Sequence, residues 1–327
     1  LSHSSAASDV YKRQVHMENK KTVSKEHSKM RLDKVSTIIF EDFSRTQIKK
    51  WILEGRVFLN DDIASPRDLV HEGDSIQIDP ITEEKISWVP EEIDIDVIYE
   101  NDDYLIINKQ PNLIMHPGAG CSSGTLANAL LHHYPELKNI ARAGIVHRLD
   151  KDTSGVILVA RNDKFRNYFV DLLQKREVTK LYSAIVVGTI IGSFKVTDPI
   201  GRDKKNRVKM SIRSDGKESE TFVKLKESLG NYSLLDISIM TGRTHQIRVH
   251  LSSKKLPIIG DNTYNPAKNI AKGTSSKLTD IIKQFPRQAL HAYQLSFKDM
   301  HTDEFKTFNC DIPDDMKYLI DILKKDI

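Results

Sequence analysis

The pattern of apolar and polar positions in residues 29–79 predicts a small compact unit of two helices followed by short strands. Apolar residues recur at helical spacing in two stretches, and short alternating stretches follow them. Ser44 stands where it would cap the start of the second helix, and Gly55 stands where it would end it. The positions that carry the pattern are Leu32, Val35, Ile38 and Ile39, then Ile48, Trp51 and Ile52, and finally the strands 57–59 and 75–79.

Strands outnumber helices in the larger segment that begins at residue 97. Residues 265–287 are polar, and we expect them to form an exposed insertion. The mixture of periodicities predicts an α+β fold class. We expect strands at 97–99, 104–108, 156–160, 180–188, 220–225, 232–240 and 288–297, and helices at 126–133, 164–176 and 314–325.

Two polar segments set the predicted domain boundaries. Residues 1–28 are expected to be a flexible leader, and residues 1–16 resemble sequence added by cloning, with Met17 as the true start. Residues 80–96 are acidic, contain two prolines and lack periodicity, so we expect a linker there. The predicted order is the leader over 1–28, a small domain over 29–79, the linker over 80–96 and a large domain over 97–327.

Charge along the chain suits a protein that binds a polyanion. Hydrophobic residues make up 39% and charged residues 29% of the 327 positions, a globular composition. Residues 1–60 contain 12 Lys and Arg against 7 Asp and Glu, residues 61–100 contain 2 against 13, and residues 101–327 contain 35 against 25. Two basic regions therefore flank an acidic one, which favours RNA as a partner, although a solvated basic surface would look the same.

Other features of the composition argue against a membrane protein and against a cofactor. No run of about 18 apolar residues is present to span a membrane. Cys121 and Cys310 are too few for a disulfide framework or a zinc site and favour a reducing, cytoplasmic environment. The glycine-rich loop 116–120 lacks the spacing of a nucleotide-phosphate loop. We therefore expect no cofactor and no metal ion.

The densest group of charged side chains lies in the turn 144–155, directly before the apolar strand 156–160. So much charge beside a core strand is difficult to explain by packing, although charged turns between elements are also common. Two carboxylates two positions apart share a face if the turn is extended, so a two-carboxylate hydrolase is one interpretation. The charged or imidazole side chains of the turn are Asp150, Asp152, His147, Arg148 and Lys151.

Three further stretches contain candidate functional residues. In 241–251, Arg243 and Arg248 lie five positions apart beside an apolar stripe, and a buried arginine needs a carboxylate or several acceptors. In strand 180–188, composition alone favours Tyr182 as a core residue. The stretch 199–213 combines six basic residues with turn residues. It predicts a basic hairpin suited to an RNA backbone, with a solvated loop as the alternative.

Motifs in three of these stretches resemble those of one enzyme family. HRLDKDTSG at 147–155, K-x-Y-x-A-x-V-x-G at 180–188 and GRTHQIRVH at 242–250 are similar, in this order, to the RluA-type pseudouridine synthases. The resemblance implies that Asp150 is the catalytic aspartate and that Arg248, or alternatively Arg243, pairs with it. It implies that Tyr182 stacks on the displaced base and accepts a proton, and that Asp152 is structural. It also implies a mixed, mainly antiparallel central sheet and a reaction without metal, nucleotide or redox partner.

The small N-terminal unit resembles the S4-type RNA-binding domain through RLD at 31–33, SR at 44–45, G-x-V at 55–57 and GD at 73–74. That family presents basic residues of its two-helix face to RNA phosphates, which gives affinity rather than sequence readout. Ordinary exposed helix charges are the alternative. The implied contacts here are Arg31, Arg45, Lys49 and Lys50. In the large domain, the predicted RNA contacts are His147, Arg148, Arg202, Lys204, Lys205, Arg207 and Arg243.

The resemblance implies isomerisation of uridine to pseudouridine in RNA. Because the target lies in folded RNA, we expect it to be extruded into a pocket, and we predict that Arg148 fills the gap that it leaves. The segments HPGAG at 116–120, NALLHHYPEL at 128–137 and PIGR at 199–202 most resemble a branch that acts on the hairpin of 23S ribosomal RNA that meets the small subunit. The expected partner is therefore this RNA or the precursor of the large ribosomal subunit. A sister branch acting on other uridines of the same RNA and a noncatalytic ribosome-assembly factor are the alternatives. We expect a monomer without a membrane partner.

Overall fold

The computed structural model describes residues 19–40, 43, 45–79, 88–118, 120–206 and 208–325. Four sets of predictions fall outside the described residues: the helix cap Ser44, the RNA contact Arg207, residues 1–18 of the leader and residues 80–87 of the linker. The chain divides into two compact units between residues 86 and 87, and each unit is described by itself.

In the first unit, the two predicted helices accompany a four-stranded antiparallel sheet that includes both predicted strands. Its elements are β1 (Lys20–Thr22), a 3₁₀ helix (Lys25–His27), α1 (Leu32–Ile39), α2 (Arg45–Leu53), β2 (Val57–Leu59), β3 (Asp62–Ile63) and β4 (Ser75–Ile78). The strand order is β1-β4-β2-β3. Leu32 and Val35 of α1 and Ile48, Trp51 and Ile52 of α2 are buried in one hydrophobic cluster. Helical spacing of apolar residues therefore located both helices correctly.

Residues 20–28 differ from the flexible lead-in that we expected. Strand β1 pairs in antiparallel register with β4, from Lys20 opposite Gln77 to Thr22 opposite Ser75. Val23, which follows the strand, is buried in the core of the unit. The polar sequence of β1 gives no strand pattern, so its pairing depends on the tertiary structure. The first unit thus includes residues that precede position 29.

The second unit is built on a nine-stranded sheet. Its strands are β5 (Asp96–Glu100), β6 (Tyr104–Lys109), β7 (Ser154–Ala160), β8 (Thr179–Val187), β9 (Ser193–Val196), β12 (Thr221–Leu229), β13 (Tyr232–Ile239), β14 (Leu290–Lys298) and β15 (Phe305–Asn309), and β10 (Ile200–Arg202) and β11 (Met210–Ile212) form a separate hairpin. Its α-helices are α3 (Leu126–His133), α4 (Asp163–Lys175), α5 (Gln246–Ser253), α6 (Ser276–Gln284) and α7 (Asp314–Lys325), with 3₁₀ helices at Pro135–Asn139 and Ala141–Gly144.

The sheet has the order β5-β6-β7-β14-β8-β13-β12-β9, with β15 paired to β14. Strands β7 and β14 are parallel, whereas the other paired strands of this sheet run antiparallel. The predicted α+β fold class with a mixed, mainly antiparallel sheet is confirmed. The predicted helices correspond to α3, α4 and α7, and the predicted basic hairpin corresponds to β10 and β11.

Close approach of β7 to β14 fixes the turn that precedes β7. Gly155, the second residue of β7, has φ +121°, and a Cβ atom at this position would lie 2.1 Å from the carbonyl oxygen of Ala292 in β14. A side chain therefore cannot be accommodated without moving backbone. The charged turn 144–155 therefore runs directly into a strand whose first residues pack against β14.

Residues 265–287 are not the exposed insertion that their polar composition predicted. They contain helix α6, and its Leu278 and Ile282 are 2% exposed and belong to the main hydrophobic cluster of the unit. The side chain of Ser275 caps the helix by accepting a hydrogen bond from the backbone N–H of Leu278, at 3.3 Å. The i, i+4 spacing of the two apolar residues was the signal for a helix with one buried side. In the part of the chain that the structure describes, no helix has the length and apolarity to cross a membrane.

Candidate active site

A pocket of about 470 Å³ lies in the second unit, between the turn that precedes β7 and the start of helix α5. Residues 145–150 and 239–248 form most of its wall, and Tyr182 of β8 and Leu290 of β14 also line it. Three stretches that are more than 30 positions apart in the sequence therefore meet in one cavity. They are the same three stretches that contain the predicted catalytic residues.

Asp150 and Arg248 are in direct contact in this pocket. Nη1 of Arg248 donates a hydrogen bond of 3.0 Å to Oδ2 of Asp150. The side chain of Asp150 is 15% exposed and that of Arg248 is 7% exposed. The backbone N–H of Thr153 donates to the carbonyl oxygen of Asp150 at 3.1 Å, which closes the turn that carries the carboxylate. Arg243, the alternative partner, instead donates from Nε to the carbonyl oxygen of Glu218 at 2.9 Å.

Arg248 also binds a second carboxylate, Asp261, for which no role was predicted from the sequence. Nε and Nη2 of Arg248 donate to Oδ2 and Oδ1 of Asp261 at 2.8 and 2.9 Å. Oδ1 of Asp261 also accepts the backbone N–H groups of Thr263 and Tyr264, at 2.9 and 3.0 Å. The guanidinium therefore bridges two acids, and its bidentate contact is with Asp261. The sequence signal for this second contact was that a buried arginine needs several acceptors.

The protonation states of this bridge follow from its surroundings. Burial opposes ionisation of Asp261, but the hydrogen bonds and the charge of Arg248 outweigh burial and lower the pKa of this carboxyl. Burial likewise disfavours the charged form of Arg248, yet the Asp261 and Asp150 carboxylates raise its pKa. Arg248 is therefore a permanent cation held in place by one acid and available to the other.

Tyr182 lies on β8, in the middle of the sheet, where it is opposite Ala292 of β14 and Ile237 of β13. Its side chain is largely buried but contributes to the pocket wall. Burial, with a smaller effect of the negative charge of Asp150, raises the pKa of the Tyr182 hydroxyl. The tyrosine is therefore protonated at neutral pH, and its flat ring has a fixed position in the pocket.

Lys109, at the end of β6, supports the turn that contains Asp150, and our sequence analysis did not single it out. Its Nζ donates to the carbonyl oxygens of Gln110, Leu113 and Lys151 at 2.7, 2.9 and 2.9 Å. Burial lowers the pKa of this amine to about 7, although the nearby carboxylates oppose the shift. A lysine that ends an apolar strand was the only sequence signal for this role.

Comparison with known proteins identifies the family. Residues 103–253 match the RNA pseudouridylate synthase family, and residues 30–76 match the S4 domain. The "Ribosomal large subunit pseudouridine synthase D" of Vibrio parahaemolyticus is 41% identical over 297 residues, which are 90% of this chain and 91% of that protein. This chain belongs to the RNA pseudouridylate synthase family.

Two further relatives of this synthase agree with the assignment. The protein of the same name from Yersinia pestis is 40% identical over 306 residues, covering 93% of this chain and 94% of that protein. The solved structure of "Human RNA Pseudouridylate Synthase Domain Containing 1" is 28% identical and superposes with a TM-score of 0.50, covering 68% of this chain and 84% of that chain. The synthase fold predicted from the motifs is therefore confirmed.

Basic side chains surround the pocket of this synthase. Arg148 is exposed at its edge, and Arg243 and Lys180 also line it. Burial and the neighbouring charge of Arg243 lower the pKa of Lys180 to about 8. The structure thus places two predicted RNA contacts, Arg148 and Arg243, on the wall of the candidate active site, where they would face a polyanion that enters it.

His147 differs from the other predicted RNA contacts of the synthase domain. Its Nε2 accepts a hydrogen bond of 2.9 Å from the backbone N–H of Leu158 in β7, and its ring packs near Phe169 at a centroid distance of 6.0 Å. Burial lowers the pKa of His147 to about 3. A neutral imidazole whose nitrogen is bound to backbone cannot supply positive charge to phosphates. Its position favours a structural role in fixing the turn to the strand.

The remaining predicted RNA contacts lie on exposed surfaces. Arg202, Lys204 and Lys205 are exposed on the β10–β11 hairpin. In the S4 unit, the buried Asp33 accepts hydrogen bonds from Arg31 at 3.0 Å and from Arg45 at 3.2 Å, and so fixes both guanidinium groups beside each other. Their side chains remain 47% and 61% exposed. Lys49 and Lys50 are exposed on α2.

The second carboxylate of the charged turn, Asp152, is not positioned for shared catalysis. Of the two acids, Asp150 contributes to the described pocket wall and Asp152 does not. The carbonyl oxygen of Asp152 instead accepts a hydrogen bond from Arg287 at 3.2 Å. A hydrolase that needs both carboxylates at one bond is therefore not supported. Among the described residues, no group of three or more His, Cys, Asp or Glu side chains is arranged to hold a metal ion.

Proposed function

We propose that this protein isomerises uridine to pseudouridine in the RNA of the large ribosomal subunit, with Asp150 as the catalytic aspartate. The observation that carries the proposal is the single ionisable carboxylate in the pocket wall that is bound to the fixed cation Arg248. Family membership supplies the reaction class. The bacterial relatives supply the substrate class, since they are named as pseudouridine synthases of the ribosomal large subunit.

The roles in the reaction follow from charge. Isomerisation breaks the bond between C1′ and N1 and forms a bond between C1′ and C5, while C5 loses a proton and N1 gains one, so no oxidant or reductant is required. A carboxylate that starts this sequence, as a nucleophile or by abstracting a proton, must be ionised. In a pocket closed by RNA, the loss of water would favour the neutral acid, and Arg248 opposes this by stabilising the anion. We assign to Asp150 the first step and to Arg248 the maintenance of its charge.

Tyr182 has a role that depends on its ring and one that depends on its hydroxyl. Its ring can stack on a uracil that enters the pocket. Because the raised pKa keeps the hydroxyl protonated at rest, Tyr182 can accept the C5 proton only if it passes its own proton on in the same step. We propose N1 of the uracil, which gains a proton in the reaction, as the final acceptor. We propose that it performs both roles, with stacking throughout and proton transfer after the new carbon–carbon bond has formed.

Binding of folded RNA requires the target nucleotide to leave its stack, at a cost of a few kcal/mol. We propose that contacts between phosphates and basic side chains offset this cost. Arg31, Arg45, Lys49 and Lys50 of the S4 unit supply one set. Arg148, Arg243 and the hairpin residues Arg202, Lys204, Lys205 and Arg207 supply the other. Arg148 lies at the pocket edge, where it can occupy the space of the extruded base.

We propose as targets the uridines of the 23S ribosomal RNA hairpin that meets the small subunit. Other uridines of the same RNA, as in the sister branch, are the alternative. We propose that the protein works as a monomer. Its ribosomal substrate favours the cytoplasm.

One experiment tests the activity and another tests the target. RNA labelled with tritium at C5 of uracil should release tritium with the wild-type protein, whereas a noncatalytic binder would release none and a hydrolase would liberate free base. Pseudouridine should then be mapped in large-subunit RNA from cells that lack the gene. Loss of pseudouridine in the hairpin that meets the small subunit supports the proposed target, and loss at other positions supports the sister activity instead.

A further inference from the structure

The two oxygens of the Asp150 carboxylate face different side chains. Oδ2 is bound by Arg248, whereas Oδ1 faces Nε2 of His245 at 3.9 Å, which is too long for a hydrogen bond. His245 directly precedes helix α5 and has a left-handed backbone conformation with φ 55°. Such a conformation is uncommon for a residue with a side chain. Oδ1 is therefore the oxygen that remains available to substrate, with a histidine placed beside it.

The other nitrogen of His245 is held by Tyr264. Nδ1 of His245 and the hydroxyl of Tyr264 are 2.8 Å apart. The same hydroxyl accepts the backbone N–H of Met210 at 2.9 Å, so its own proton is directed to Nδ1 of His245. Burial lowers the pKa of His245, although Asp150 opposes the shift, and the neutral ring then has its proton on Nε2. This tautomer turns an N–H donor towards the free oxygen of Asp150.

The contacts of Tyr264 extend to both the hairpin and the catalytic pair. Met210 begins strand β11 of the β10–β11 hairpin, whose exposed residues include Lys204 and Lys205. The ring of Tyr264 also lies under the guanidinium of Arg248, at 5.1 Å from its centroid. The backbone of a basic hairpin is thus linked through one hydroxyl to His245 and through one ring to Arg248.

We propose that His245 and Tyr264 form a positioning pair that orients Oδ1 of Asp150 and makes the catalytic step depend on the position of the β10–β11 hairpin. This inference rests on the proposed function, since it concerns the orientation of the same carboxylate. In the free protein the N–H of Met210 already holds the Tyr264 hydroxyl, which sets the tautomer of His245. A movement of the hairpin on binding RNA phosphates would therefore change the orientation of both side chains. The hairpin then contributes to the rate of reaction as well as to RNA affinity.

The test is Tyr264→Phe, which removes the hydroxyl and keeps the ring that faces Arg248. Single-turnover rate with excess protein should fall about tenfold or more, because a misdirected carboxylate loses a large part of the rate. The dissociation constant for RNA should stay within about twofold of wild type. The matched control is Tyr168→Phe, which removes a hydroxyl bound to the carbonyl oxygen of Lys298 at 2.8 Å, outside the pocket wall. The control should change neither quantity.

A second measurement does not depend on reaction rates. Long-range proton–nitrogen NMR correlation of wild-type protein labelled at histidine should show His245 protonated at Nε2, and Tyr264→Phe should shift it towards Nδ1 protonation. An Nδ1–H tautomer in the wild type, or a Tyr264→Phe rate equal to that of Tyr168→Phe, overturns the proposal. If the wild-type protein forms no pseudouridine at all, the proposed function fails instead, and the tautomer measurement still decides whether the pair is arranged as described.

Discussion

Asp150 and Arg248 are separated by 98 positions in the sequence, yet a hydrogen bond of 3.0 Å joins Nη1 of the arginine to Oδ2 of the acid. The arginine also binds a second acid, since its Nε and Nη2 form a bidentate contact with the buried Asp261. Because the guanidinium binds both carboxylates, its two contacts have different roles in catalysis. Asp261 holds the cation rigidly, and Asp150 receives its charge through one bond while Oδ1 stays free to react.

Loss of the Asp261 carboxylate should destabilise the protein. Asp261→Asn leaves Arg248 without its bidentate partner in a buried site, and breaking such a pair costs about 3–5 kcal/mol. We expect the free energy of unfolding, measured by urea titration, to fall by about this amount and the turnover rate to fall with it. The control is Asp198→Asn, which removes an exposed pair with Lys254 at 3.3 Å and should cost under about 1 kcal/mol. Equal stability of the two variants would show that Asp261 does not hold the arginine.

Two substitutions of Tyr182 should distinguish the contribution of its ring from that of its hydroxyl. Tyr182→Phe keeps the stacking surface, so RNA affinity should stay near the wild-type value, while Tyr182→Ala should weaken it. The rate of tritium release from C5 should fall about 10²-fold or more in Tyr182→Phe, the usual contribution of a positioned proton acceptor. Deuterium at C5 should then slow the reaction, because proton removal has become rate-limiting. A wild-type release rate without an isotope effect would exclude Tyr182 as the acceptor.

Arg148 should matter most when the target base must be extruded. We expect Arg148→Ala to lower turnover on folded RNA more than on unpaired RNA, since only the folded substrate leaves a gap in its stack. The measurement is the ratio of the two single-turnover rates for each protein. Lys164→Ala, which removes one exposed positive charge on α4, serves as the control for a general loss of affinity. Equal losses on both substrates would refute the role of Arg148 as a replacement for the base.

His147 should make stability depend on pH. Its pKa in the folded protein, about 3, lies below the ordinary value of 6.5, so the unfolded chain binds the proton more readily. Its contribution to stability is therefore complete above pH 6.5 and is lost as pH falls towards 3, by about 2 kcal/mol between pH 7 and pH 5. Urea titrations of wild type and His147→Gln should show a smaller decrease over this interval in the variant. Parallel curves for the two proteins would mean that His147 is protonated as easily in the folded protein as in the unfolded chain.

Local patterns predicted most of the secondary structure, and their failures have identifiable causes. Helices α2 and α4 and strands β6 and β8 follow from spacing, because each buries a regular set of apolar residues. Strand β1 is polar and forms only because it pairs with β4. Helix α6 is short and has only two buried residues in a polar stretch of sequence, so the apolar pattern did not predict a helix there.

The candidate site was predictable to a similar extent and for similar reasons. Motif resemblance indicated Asp150, Arg248 and Tyr182, which the structure places in one pocket. The identity of the second acid, Asp261, and of His245 as the side chain beside Oδ1 could not be inferred, since both depend on how α5 packs against neighbouring segments. Periodicity identifies which side chains are buried, but it does not identify which charged partner each buried charge will meet.

The central claim is that a single ionised acid at position 150 performs the isomerisation, and Asp150→Asn tests it most directly. The change keeps the size of the side chain and removes its negative charge. Tritium release from C5-labelled RNA should fall about 10³-fold or more, while RNA affinity stays near wild type. Asp152→Asn, two positions away and outside the pocket wall, should release tritium at nearly the wild-type rate. An undiminished rate for Asp150→Asn would contradict the account.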